Sequence, residues 1–357
     1  FDSDEPAVRY LTRRDLLGDR DGEVAAADAA RVLEGPKARA LLAGQRPDGG
    51  FGVRPYSKWT GAHWRLVSLV ELAAPAGEPR LVAAASTVLD WLTGRSHRRS
   101  VKLIGGLARR CASQEGNALA VACRLGMAGD ARAELLARSL VEWQWPDGGW
   151  NCDPRASGRR SSFHESLPPA WGLHEYWLSS GAAWAREAAG RAAELFLSHR
   201  LFRSLRDGEV VDRRWLVLHH PPYWHYDVLQ ALLILSRLGK ARDPRAADAL
   251  DLLLRRRRAD GRWQPGGCWW RPPGTTSRGS YPVEVVDWGR SGPNELITLN
   301  ALRVLHAAGW PGRPAPAAPD SSSDEPQPAG RHGPEADTPL GGREQDQRTE
   351  RSQRWSS

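Results

Sequence analysis

A chain of 357 residues, 41% hydrophobic and 26% charged, is too long for a small stapled domain and long enough for one large core or two modest ones. Its four cysteines contain no Cys-x-x-Cys pair, which excludes a disulfide framework, a zinc ribbon and a dithiol redox motif, and no apolar run approaches the ~18–20 residues of a membrane span. The net charge of +8 comes without a nucleic-acid motif: the basic excess is scattered over predicted helix ends, and its one dense run, Arg255–Arg258, stands where cations favour a helix C-terminus, so no nucleic-acid partner is expected.

In chain order, Val8–Leu17 comes first and is available as a partner for a sixth hairpin. Ala/Leu-rich segments at helical spacing then alternate with second helical segments: 25–44 with 60–74, 79–93 with 114–126, 131–144 with 166–178, 183–199 with 224–238, and 244–256 with 294–308. Three of the connecting turns align, Gln45-Arg-Pro-Asp-Gly-Gly-Phe51, Gln144-Trp-Pro-Asp-Gly-Gly-Trp150 and Arg257-Arg-Ala-Asp-Gly-Arg-Trp263, and degenerate copies lie near Gly94–His97 and Asp207-Gly208. The aspartates recur at roughly 100-residue intervals with one degenerate turn between them, so the unit is about 50 residues, a period typical of repeat architectures. Pro presets φ in such a turn and Gly permits φ > 0. From Pro311 onward Pro, Ser, Gly, Asp and Gln leave too little apolar surface to offset ordering, which predicts a disordered tail over 311–357 and one repeat domain over 1–310.

The fold class is therefore all-α, about five to six helical hairpins. An open solenoid needs polar capping repeats, whereas a closed ring makes the second helices an inner barrel. Those second helices are apolar on all sides, as in Val228-Leu-Gln-Ala-Leu-Leu-Ile-Leu235, which favours closure into an (α/α) toroid. Free thiols point to a reducing cytoplasm, and a start at Phe1 rather than Met points to a truncated N-terminus. Seventeen Trp against five Phe and six Tyr is an abnormal ratio; Trp stacks well on amides and cations.

Gln144–Trp150 fits the Gln-x-x-x-Gly-x-Trp core of the QW repeat, and the chain over about 20–310 resembles squalene–hopene cyclases and protein prenyltransferase β subunits. Gln45–Phe51 matches with Phe for Trp, and Arg257–Trp263 with Arg for Gln. The resemblance implies an α/α toroid of the terpenoid cyclase/prenyltransferase type, with Gln45, Phe51, Gln144, Trp150 and Trp263 in structural roles. Its chemistry carries over only in part. The Asp-x-Asp-Asp acid of cyclases is missing; Asp2-Ser-Asp-Glu5 is the nearest string. Prenyltransferases hold zinc with Asp-x-Cys and a His, whereas this chain has Cys152-Asp153, with His225 in the first turn of the next predicted inner helix and Asp227 two residues on.

In a ring, every turn after an outer helix delivers an inner-helix start to the same end of the barrel. These starts carry His63, Cys111, Glu115, Cys152, His164-Glu165, Trp224-His225-Tyr226-Asp227 and Asn294-Glu295. Helix N-termini favour anions, and thiol, imidazole and carboxylate groups have zinc-ligand identities. The expected metal set is Cys152, His164, His225 and Asp227, binding Zn2+. Asp227, His164, Glu115, Glu165, Glu295 and His63 are proton-transfer candidates, and Trp64, Trp171, Trp224, Cys111 and Asn294 are candidate substrate contacts. Plainer roles compete. Ser161, Ser166 and Asn294 are ordinary N-cap types. His97, His174, His199, His306 and His332 read as locally hydrogen-bonded, and His219 and His220 as loop residues. Pro168-Pro169 places His164 in the loop before its helix, and Cys123 and Cys268 read as packing or loop thiols.

The function expected from the resemblance is an isoprenoid-handling enzyme, a transferase or isomerase acting on an apolar small molecule, with peripheral membrane contact open to it. The alternative is a non-catalytic toroid binding a lipid or a protein partner.

Overall fold

The computed structural model describes residues 3–19, 22–276 and 278–310. The predicted tail, 311–357, and His332 lie outside them. The described chain is mostly helical: α1 (Pro6–Leu16), α2 (Glu23–Ala30), α3 (Pro36–Leu42), α4 (Ala62–Glu71), α5 (Pro79–Thr93), α6 (Arg95–Arg99), α7 (Ser113–Arg124), α8 (Ala131–Glu142), α9 (Phe163–Ser180), α10 (Ala183–Ser198), α11 (Val228–Arg237), α12 (Ala247–Arg255) and α13 (Glu295–Ala307). A two-stranded antiparallel hairpin, β1 (Lys102–Ile104) and β2 (Leu107–Arg109), lies between α6 and α7. No helix among the described residues is long and apolar enough to cross a membrane.

The alternation predicted from hydropathy reappears as burial. Every residue of α7 from Ser113 to Cys123 is buried, as is every residue of α11 from Val228 to Leu235. By contrast α5, α8, α10 and α12 bury one face. The buried helices pack in succession, α4 on α7, α7 on α9, α9 on α11, α11 on α13 and α13 on α1, while α5, α8, α10 and α12 pack against them.

Three local expectations are corrected. The segment 25–44 is not one helix: Gly35 is extended and Pro36 opens α3 at its first position, where a missing N–H costs nothing. The 94–97 turn is a short helix followed by a hairpin that no run of β-branched residues announces; its Gly105-Gly106 corner has φ of 59° and 76°, the two positive values such hairpins need. Finally, α9 runs straight through Pro168 and Pro169, so His164 sits in its first turn rather than in a loop. The closeness of α7 explains this. A Cβ on Gly116 would run into the backbone of Pro168 and Pro169, and one on Gly172 into the backbone of Gly116, so two glycines let α7 lie directly against the stretch that has lost its N–H groups.

The repeat motif does structural work in the same way each time. The Gln144 amide donates to Gly148 O (2.7 Å) in its own turn and to Ala188 O (2.9 Å) on α10, and Gln45 does the same to Gly49 O and to Arg80 O on α5. Gly148, at φ 93°, presses its backbone on Arg191 of α10, where a side chain would collide. The Trp150 and Trp263 indoles each donate to a carbonyl ten residues earlier, Leu140 and Leu253. Their backbone N–H groups are held by Ser166 on α9 and Thr298 on α13. The Gln144–Trp150 turn thus ties three helices, α8, α9 and α10. Gln144→Ala is expected to lower stability by about 1–2 kcal/mol through its lost hydrogen bonds with Gly148 O, Ala188 O and Arg191; a urea unfolding curve with unchanged slope and a lower midpoint checks it.

Candidate functional site

The segments that precede the buried helices meet one another. Trp59, ahead of α4, stacks on Tyr223, ahead of α11, with centroids 3.6 Å apart, and its indole donates to Trp269 O at 3.0 Å. Arg110 N–H donates to Asn151 O (3.1 Å), joining the segment before α7 to the one before α9. His225 lies flat between Trp224 (3.9 Å) and Trp269 (4.7 Å).

Two cavities share Trp224 and His225 as a common wall. One is bounded by Val67, Leu167, Trp171, Tyr223 and Ile234 and by the polar residues Glu71, Asn117, Gln230 and Arg237. The other is more polar and is bounded by Lys58, Trp59, Ser280 and Tyr281. In the first, the side-chain nitrogens of Asn117, Gln230 and Trp224, the Tyr223 hydroxyl and His225 Nδ1 are buried without a hydrogen-bond partner in the protein. Glu71 and Arg237 form a 2.6 Å ion pair; burial opposes the charge, but Arg237 and Arg124 outweigh it and hold the Glu71 carboxyl down to about 2.

His164 lines this cavity, and its Nδ1 accepts the Tyr226 N–H at 2.9 Å, which puts the proton of the neutral ring on Nε2. Burial lowers its pKa to about 4 and that of His225 well below the usual value, so both are neutral imidazoles. His225 precedes α11 instead of standing in its first turn, because Asp227 takes the N-cap position, its Oδ1 accepting Gln230 N–H at 2.8 Å. The other oxygen of Asp227 accepts the backbone N–H of His219 and lies 2.6 Å from His219 Nδ1. Burial works against a charged His219, yet the Asp227 charge prevails and raises its pKa.

The expected metal set is therefore corrected. Cys152 does not join His164, His225 and Asp227; those three are engaged in a backbone bond, an aromatic stack and a helix cap. Among the described residues, the one group whose donor atoms could hold a metal ion is Cys111, Cys152 and Glu165, all within 4.8 Å of one another. Cys111, expected as a substrate contact, thus belongs with the thiol and carboxyl groups. Cys152 Sγ stands 3.7 Å from Glu165 Oε1, and Glu165 Oε2 accepts the Ser113 N–H at 3.0 Å. The hydrogen bond with Cys111, then burial, pushes the Cys152 thiol well up; burial raises Glu165.

The remaining candidates scatter. Glu115 is completely buried between Arg110 Nε (2.7 Å) and His97 Nε2 (2.9 Å), and although burial favours the neutral acid, Arg110 keeps it a carboxylate. Glu295 is exposed and accepts from Ser3 Oγ. Asn294 caps α13 and donates to Trp288 O. His63, lowered to about 3 by burial, has both ring nitrogens unpartnered beside Trp64 and Tyr56. Trp64 packs edge-on against Trp59 and Tyr223, whereas Trp171 and Trp224 line the first cavity.

Sequence reasoning missed Glu71, Arg237, His219 and Glu284. A Glu and an Arg closing two otherwise apolar segments, α4 and α11, were the available signal for the first pair. Glu284 gave none: it lies in a long loop, is 3% exposed, and is pushed up to about 7 by burial. A raised acid stabilises the fold fully below its unfolded value of 4.5 and loses that contribution as pH climbs through 7. Glu284→Gln is therefore expected to match the wild type at pH 4.5 and to exceed it by about 2–3 kcal/mol at pH 8.5, read from denaturant midpoints at the two pH values.

No family model matches the chain, and no curated protein does. A crystal structure of a protein from Actinoplanes is similar at 18% identity over 85% of this chain and 89% of that one, with a TM-score of 0.39, too low to bear on fold or function.

Proposed function

We propose that the chain closes into an (α/α) toroid whose central cavity binds an apolar, isoprenoid-like small molecule, as an enzyme of the terpene cyclase/prenyltransferase type. The observation that carries this reading is the cavity among α4, α9 and α11, walled by Trp171, Tyr223, Trp224, Leu167 and Ile234, with unpartnered polar atoms at a few points. Mostly apolar walls with sparse polar groups are the usual make-up of small-molecule sites. The succession of packed helices from α4 round to α13 and α1 supports closure. Neutral His164, which lines the cavity and carries its proton on Nε2, is the group best suited to hydrogen-bond or proton transfer there.

A second reading, a non-catalytic binder, is favoured by one observation: Asp227 and Glu115, two of the four acids expected to move protons, are locked in buried ion pairs. One experiment addresses both. Farnesol and farnesyl diphosphate are titrated against tryptophan fluorescence, and each mixture is then assayed for products by gas chromatography. Saturable quenching that disappears in Ile234→Trp, which fills the cavity, is expected; product formation selects the enzyme, and binding without product selects the binder. Equal affinity in wild type and Ile234→Trp would overturn the cavity assignment.

A further inference from the structure

We infer that Cys111, Cys152 and Glu165 form a binding site for a thiophilic divalent cation, zinc foremost, with three protein ligands and a fourth position left for an exchangeable one. The inference goes beyond the cavity reading and stands apart from whatever the cavity binds.

Backbone geometry brings the two thiols together. The Arg110 N–H donates to Asn151 O, and Arg109 bridges to Asn151 in parallel, so the next residues along each segment, Cys111 and Cys152, run side by side. The repeat motif fixes the second segment, since Trp150 N–H is held by Ser166 on α9 and Trp150 O accepts from Ser162. Glu165, in the first turn of α9, is thereby placed beside them. All three donor atoms lie on rigid, closely bonded backbone, which is what a preorganised metal site requires.

The spacing suits a tetrahedral ion. Zinc–sulfur distances of about 2.3 Å and zinc–oxygen distances of about 2.0–2.2 Å imply a sulfur-to-oxygen edge of about 3.6 Å in a tetrahedron. Cys152 Sγ and Glu165 Oε1 are 3.7 Å apart, and the third donor closes the group within 4.8 Å. The outer oxygen of Glu165 is fixed by the Ser113 N–H, which orients the carboxyl and leaves Oε1 toward the sulfurs, as outer-shell hydrogen bonds do for metal ligands.

Charge makes the same point. Among the described residues the other buried carboxylates have a cationic side chain against them: Glu5 has Lys37, Asp28 has Arg9, Glu115 has Arg110, Glu175 has Arg124 and Asp227 has His219. Glu165 and Glu284 do not, and of the two only Glu165 shares a donor cluster with thiols. A carboxyl buried with two thiols and no side-chain cation is costly unless a cation is supplied. Two sulfur donors select a thiophilic ion over magnesium or calcium, whose sites are built from oxygen.

The test uses the full chain, reduced, stripped with chelator and titrated with Co2+. One cobalt per chain is expected, with sulfur-to-cobalt charge-transfer absorption and the visible bands of a tetrahedral ion, both removed by added Zn2+. Cys111→Ser and Cys152→Ser should each weaken binding by roughly 100-fold or more and Glu165→Gln by roughly 10-fold, while Cys123→Ser and Cys268→Ser leave it unchanged. Circular dichroism of the metal-free variants separates lost ligands from lost folding, and Glu165→Asp, retaining a carboxylate, should recover part of the affinity. Absence of cobalt uptake by the reduced wild type, uptake that persists in the Cys111→Ser/Cys152→Ser double variant, or a Cys111–Cys152 disulfide whose reduction restores no metal binding would each overturn the site.

Discussion

Alanine in place of Gly116 is expected to destabilise the protein by about 3 kcal/mol or more, although the same change at Gly190 should stabilise it by about 0.5–1 kcal/mol. Both glycines are helical, on α7 and α10, and helix propensity alone predicts a gain at each. The surroundings decide the sign. Nothing lies within 4 Å of a Cβ added at Gly190, whereas one at Gly116 meets the Pro168–Pro169 backbone well inside van der Waals contact. Backbone cannot swing aside like the end of a side chain, so α7 and α9 must separate, and their contact is the most extensive between any two helices among the described residues. Guanidinium denaturation of the two variants in parallel checks the pair; a midpoint for Gly116→Ala at or above the wild type would show that the two helices are not locked together at this point.

Arg110→Leu is the second change with a large expected effect, a loss of roughly 3–5 kcal/mol at pH 8. Arg110 reaches Glu115, Ser100, Gln114 and His97 at once, and Glu115 is completely buried. Removing the guanidinium leaves a carboxylate with no adequate partner in a low-dielectric interior. The pH dependence has a definite sign. In the wild type the Glu115 pKa is depressed, so its stabilising contribution is present above the unfolded value near 4.5 and is lost as pH falls below it. In the variant, burial without Arg110 raises the pKa, and stability is lost as pH rises. The gap between the two proteins should therefore widen from pH 5 to pH 8. Arg110→Leu combined with Glu115→Gln should recover much of the loss, because no net charge then remains to be solvated. Equal losses at the two pH values would show that packing, not charge, governs the site.

These two cases also mark how far the amino-acid order could be read. The positions of the buried helices followed from hydropathy, because a segment apolar on every side has no stable place except inside. The turns followed too: Pro-Asp-Gly-Gly restricts its own backbone, and Gln144 and Trp150 find partners a fixed number of residues away or in the adjacent helix. Those are local constraints, carried within a few turns of chain. Pro168-Pro169 was misread because the rule for proline considers the helix alone, whereas α9 continues through both prolines where Gly116 of α7 packs against their backbone. His225 was misplaced by a few residues because its neighbour Asp227 is the cap.

The candidate site was legible in its residue types but not in its pairings. Cys111, Cys152, Glu165, His164 and His225 were all singled out by their position ahead of buried helices, yet Cys152 could not be matched with Cys111 from spacing. Which group meets which depends on a backbone bond between Arg110 and Asn151, and on whether an imidazole stacks or a carboxylate caps. The sequence by itself determined the helical repeat, its period and its turns, since those follow from interactions between residues close along the chain. Only the tertiary structure decided that two thiols share a carboxyl, that Glu71 faces Arg237 and that Glu284 is buried, because each joins segments whose relative placement is set by the packing of the whole core.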